Sequence, residues 1–131
     1  MKTSGLILAA VLGLIGCGAA QEPTAPSVAG AWRFSLAATE AHPACDGRVV
    51  LTERGPGDSS VTGLAEGETY IDGLWTCADG STGIMGGDRF GDSIDLALNA
   101  QAAGQYVIWA RPTVDVTAET MIGDGFRAER E

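Results

Sequence analysis

The chain is short of the residues that carry most catalysis and most nucleic-acid binding. Its 131 residues include one histidine, His42, and one lysine, Lys2. Seven arginines (33, 48, 54, 89, 111, 127 and 130) bring the basic side to eight, against seventeen Asp and Glu, for a net charge of −9. Nucleic-acid binding needs a basic stripe or patch, and these arginines cluster nowhere beyond the pair Arg127 and Arg130. That class is excluded. A catalytic triad would have to use His42, which lies beside Pro43 with no nucleophile flanking it, and Ser81 lacks the spacing of a nucleophile elbow. Zinc needs four soft ligands or a tight Cys and His spacing, which one histidine does not supply. The glycine-rich stretches carry Asp where a phosphate-cradling loop carries Lys. Two carboxylates can perform acid/base work without histidine, but seventeen acids on a small domain mostly make a solvated surface. The expectation is a noncatalytic protein with no cofactor and no metal.

Aromatic residues are also scarce, at 6%, while glycines number 19. This composition describes one small, turn-rich domain with a modest core. At this size the buried fraction is low enough that a covalent staple matters.

Long apolar runs are confined to one place. Behind Lys2, residues Leu6 to Ile15 have the length of a signal-peptide core and are too few to span a bilayer as a helix. Export follows. The end of the run, Leu14-Ile15-Gly16-Cys17, resembles the lipobox of bacterial lipoproteins. That resemblance implies a signal peptide over 1–16, lipidation of Cys17, and a membrane partner reached through the lipid. Residues 17–27 then form the anchor and a polar, Pro-containing tether. Gly18 stands where an aspartate would retain many such lipoproteins in the inner membrane, so the implied place is the outer membrane, facing the periplasm. Gly18-Ala19-Ala20 also offers an ordinary cleavage site after Ala20, which would discard Cys17. With Cys17 as anchor, Cys45 and Cys77 remain as an even pair in an oxidising compartment, and a disulfide between them is expected. Closing a loop of 77 minus 45, or 32 positions, contributes on the order of 3 to 4 kcal/mol on the chain-entropy model.

From Val28 onward the pattern has a period of two. Trp32, Phe34 and Leu36 alternate with Arg33 and Ser35, and the same alternation recurs over 48–54, 70–77 and 93–99. Further strands are expected within 104–111 and 113–130. Turn residues at 54–58, 78–81, 90–92, 103–104 and 123–125 separate them. Many short strands with no helix to cross over predict an all-β domain over 28–131, an antiparallel up-and-down β-barrel of about eight strands. A two-sheet sandwich is the rival.

Gly30-Ala31-Trp32 at the first strand resembles the G-x-W signature of calycins, the lipocalin and avidin-like barrels. The resemblance implies that Trp32 plugs one barrel end and that an arginine of the last strand, Arg127 or Arg130, packs across it. Gly30, Trp32, Cys45 and Cys77 also match the plan of small periplasmic barrels that inhibit secreted bacterial metalloproteases. In that family the free N-terminal segment reaches into the protease.

Trp75 and Trp109 fall on different strands from Trp32. They are candidates either to line a cup for a small apolar ligand or to fill the core. In 104–111 both faces, Tyr106 with Ile108 and Val107 with Trp109, are apolar; an exposed strip there would be a dimer edge or partner surface. Asp88, Asp92 and Asp95 resemble one turn of a calcium-binding repeat, and a single copy reads more simply as a hairpin. The sequence thus points to an anchored binding protein whose ligand is a small apolar molecule in the barrel or, alternatively, a protein partner.

Overall fold

The computed structural model describes residues 26–131. The signal segment, Cys17, both cleavage readings and the tether up to Ala25 lie outside the described residues. Nine strands follow in chain order: β1 (Gly30–Leu36), β2 (Cys45–Arg54), β3 (Glu68–Cys77), β4 (Thr82–Phe90), β5 (Ser93–Ala102), β6 (Gln105–Ala110), β7 (Thr113–Val116), β8 (Thr120–Gly123) and β9 (Phe126–Arg130). All pair antiparallel in the order β4-β3-β2-β1-β9-β8-β7-β5-β6, and a further β4–β5 pairing closes the ring. The result is an eight-stranded up-and-down barrel plus one extra strand, β6. The closing pair rules out the sandwich.

Alternation builds the core. Trp32, Phe34 and Leu36 of β1 face inward; Val49 and Leu51 of β2, Ile71 and Trp75 of β3, and Leu96 and Leu98 of β5 join them. The interior is filled by these side chains, as the width of eight strands allows. Loops 37–44 and 78–81 and turns 103–104 and 124–125 gather at one end, the mouth. Residues 26–29, loop 55–67, turns 91–92 and 117–119 and the C-terminus gather at the other, the tether end.

Two elements differ from the sequence pattern. β4 is a strand the alternation did not mark, and its glycines are what its neighbours require. A Cβ on Gly83 would run into the Asn99 carbonyl oxygen and the Trp75 ring, and one on Gly87 into the Asp95 carbonyl oxygen. The segment 113–130 resolves into three short strands.

The chain between β5 and β7 leaves the barrel for a physical reason. The N-terminal half of β5 pairs with β7 and its C-terminal half with β6. Between these two partners stands Pro112, which has no N–H to give a ladder. The register also slips: Ala110 faces Leu98 and Ile108 faces Asn99, so Trp109 is the extra residue of a bulge. This slip is why strict alternation left both faces of the segment buriable.

Candidate functional site

At the tether end the G-x-W residues act together. Gly30 has φ of 124°, a conformation that side-chain-bearing residues rarely adopt. Trp32 is fully buried and donates its indole N–H to the Val28 carbonyl at 2.8 Å. Over its ring, 4.4 Å from the centroid, lies the guanidinium of Arg130. The cation is therefore Arg130 and not Arg127. Strand register decides it: Arg130 pairs with Trp32, whereas Arg127 pairs with outward Ser35 and reaches only Glu129. Arg130 also donates to the carbonyls of Ser27, Ala29 and Ala118.

Beside it is a buried ion pair without a sequence motif. Arg89, 2% exposed, meets both Glu53 carboxylate oxygens at 3.2 Å and donates to the carbonyls of Pro26 and Gly91. Glu53 also accepts from Ser27 Oγ, the Val28 N–H and Thr69 Oγ1. Burial alone would raise the Glu53 carboxyl. The bonds from Thr69 and Val28, the Arg89 charge and the Ser27 bond outweigh burial and hold it below its ordinary value. Arg89, Glu53 and Arg130 together clamp residues 26–29 where the backbone enters the barrel.

The mouth is closed differently. Cys45 and Cys77 form a disulfide, with Cα atoms 5.4 Å apart. A chain of rings runs outward from the core: Phe126 stacks on Phe34, Phe34 meets Trp75 edge-on, Trp75 packs on Trp109, and Trp109 stacks on His42 at 5.2 Å. Trp75 is 1% exposed and spends its surface on the core. Trp109, re-aimed by the bulge, is partly buried between Trp75 and His42. Both candidate ligand-binding tryptophans belong to this chain of rings, and the Trp75 indole N–H and His42 Nε2 are buried there with no hydrogen-bond partner among the described residues.

The exposed apolar surface is on the outer wall. Register aligns Ala31, Val50, Leu74 and Ile84 across four strands, and the row continues through Asn99 to Ile108. Leu74 is 74% exposed and Val50 64%. They border an open groove of about 610 Å³ that also touches Arg33 and Arg48. Two smaller depressions share Leu74 as a wall. Arg33 and Arg48 face each other on β1 and β2, and Arg48 binds both carboxylate oxygens of Glu131 at 2.6 Å. Asp46 lines the same groove, so the rim carries charges of both signs.

Of the calcium-like segment, Asp88 and Asp95 lie opposite each other on β4 and β5, and Asp95 accepts from Thr113. Burial, a hydrogen bond and charge from Glu68, and the Asp95 charge all raise the Asp88 carboxyl. Among the described residues no three His, Cys, Asp or Glu side chains gather where they could hold a metal ion. No family model, no curated protein and no solved structure matches the chain.

Proposed function

We propose that the chain is a lipoprotein of the cell envelope, anchored through Cys17, that works as a noncatalytic binding module and meets its ligand on the outside of the barrel. One observation carries this reading. The interior is occupied by the protein's own side chains, while Leu74 and Val50 stand exposed at an open groove of about 610 Å³. Contiguous apolar surface rimmed by polar groups marks interaction sites. The rim holds Arg33, the Arg48–Glu131 pair and Asp46, which favours a partner surface with an apolar side chain at its centre and polar groups around it. The export and anchor expectations rest on the lipobox resemblance of residues 14–17.

Native mass spectrometry of the protein extracted in mild detergent from its own membranes tests both halves. The expected species begins at Cys17 with acyl chains, is two hydrogens light, and carries a bound protein that Leu74→Glu abolishes. A mass beginning at Gln21 without lipid sinks the anchor; a bound species unaffected by Leu74→Glu sinks the outer-wall site.

The clamp on residues 26–29 favours a second reading, in which the segment before Pro26 acts as in the periplasmic metalloprotease inhibitors. A rigid departure point lowers the entropy lost when such a segment enters a cleft. Inhibition of a secreted bacterial zinc metalloprotease by the chain beginning at Gln21, lost when it begins at Ser27, would support it. Equal inhibition by both forms, or by neither, would sink it.

A further inference from the structure

We propose that β6 is a self-recognition strand, through which two copies of the chain pair edge to edge. Among the described residues β6 pairs with β5 alone, so its second edge presents free backbone donors and acceptors. Gln105 to Ile108 are all exposed, and three of the four are large and apolar: Tyr106, Val107 and Ile108. Native sheets blunt a free edge with charge, proline or an inward lysine. The guards here, the bulge at Trp109 and then Arg111 and Pro112, all lie at the far end of β6 and leave Gln105-Tyr106-Val107-Ile108 with none.

What covers such an edge must itself be a strand, uncharged and apolar on both faces. The strand on the page with that character is β6 itself. An edge that is neutral on both sides suits an isologous pair, where the same patch meets itself about a twofold axis. The rest of the chain, at −9, repels a second copy and leaves this neutral stretch as the point of least opposition.

Antiparallel pairing fixes the register. With the twofold at Val107, each Val107 lies opposite its own copy, and each Tyr106 lies opposite Ile108 of the other copy on the outer face. The row Val50, Leu74, Ile84 and Ile108 then runs on into the second barrel. Directly opposed Cα atoms in such a pair are about 4.5 to 5.5 Å apart, within the span of a disulfide. The twofold sends the two tethers out at opposite ends of the pair. From Cys17 to Pro26 the chain can span roughly 30 Å, about the length of a ten-residue strand, so anchoring both copies in one leaflet is compatible with pairing.

The test uses the exported chain carrying Cys17→Ser, so that neither lipid nor a third thiol intervenes. Sedimentation equilibrium is expected to show a monomer–dimer equilibrium. Ile108→Lys, which places a charge on the edge, is expected to weaken it about tenfold, equivalent to ~1.4 kcal/mol, with the thermal melt unchanged. Val107→Cys is expected to form a disulfide-linked dimer under mild oxidation while Leu74→Cys, more exposed but three strands from the twofold, does not. Three results would each overturn the proposal: a monomer at all concentrations up to about 1 mM, equal crosslinking at positions 107 and 74, or association indifferent to Ile108→Lys. So would a monomer whose 105–108 amides are protected from exchange only in the membrane extract, since a foreign strand would then hold the edge.

Discussion

The two ends of the barrel are closed by opposite means. At the tether end, charges do it: Arg130 over Trp32, and Arg89 on Glu53, with the incoming backbone of residues 26–29 taking up their remaining donors and acceptors. At the mouth, a covalent bond and a stack of rings do it, from Cys45–Cys77 to His42 on Trp109. The difference follows from what each end must hold. A chain entering a barrel brings unpaired N–H and C=O groups that need polar partners. At the mouth the disulfide instead ties the start of β2 to the end of β3 across a sequence separation of 32, which removes closure entropy from the unfolded chain.

If that contrast is right, the ends answer to different insults, and the largest effect belongs to the buried charges. Arg89→Met leaves Glu53 ionised, desolvated and without its guanidinium, and is expected to cost about 3 to 5 kcal/mol in urea unfolding. Adding Glu53→Gln to Arg89→Met should restore part of the loss, because the stranded charge is gone. A single-mutant cost below ~1 kcal/mol would mean that the pair is not what closes this end.

Slightly smaller is the covalent effect at the mouth. Replacing both Cys45 and Cys77 by Ala is expected to cost about 3 to 4 kcal/mol for a loop of this length. Reduction of the native protein should speed amide exchange in 37–44 and 78–81 well before it does so around Val28 and Trp32. Uniform acceleration at both ends would break the comparison.

Smaller again is the arginine on the indole. Cation–π contacts contribute roughly 0.5 to 2 kcal/mol, so Arg130→Gln is expected to cost about 1 to 2 kcal/mol and to release the backbone at Ser27 and Ala29. Arg127→Gln, on the exposed face, should stay within ~0.5 kcal/mol. Equal effects at the two positions would contradict the register that separates them.

How much of this could be read from the residues depended on whether parity survived. The alternating strands and the cysteine pair were legible because period two and an even count of thiols each have one simple structural consequence. β4 was not, because Gly83 and Gly87 serve as space for Trp75 and for β5 yet look like turn residues in a single sequence. The outer or inner face of Trp109 was hidden by a bulge that shifts parity by one. The clamp had a signal that went unused: in Cys45-Gly47-Val49-Leu51-Glu53 and in Gly83-Met85-Gly87-Arg89, the inward parity runs straight into a carboxylate and a guanidinium. Opposite charges on the inward parity of two nearby strands are a buried pair, and no motif is needed to suspect it.

The smallest effect is on pH, and it also separates charges within the tether half of the barrel. The Asp88 carboxyl is raised by burial, by Glu68 and by Asp95, and the Glu53 carboxyl is lowered by its hydrogen bonds and Arg89. For a raised group, the stability it adds is complete below its unfolded pKa and is lost as pH rises through its folded pKa. For a lowered group, the stability is present above the unfolded pKa and is lost as pH falls through the folded one. Acidification from neutrality therefore first protonates Asp88, which strengthens the fold, and only at lower pH protonates Glu53, which loosens the clamp on residues 26–29. Stability should rise slightly and then fall. Asp88→Asn removes a like-charge pair across β4 and β5, so it should stabilise the protein at pH 7 by about 0.5 kcal/mol and flatten the rise while leaving the fall in place. Urea midpoints measured from pH 7 downward for the two proteins check this. Parallel profiles would mean that burial and the neighbouring Glu68 do not raise the Asp88 carboxyl, and that the rise has another source.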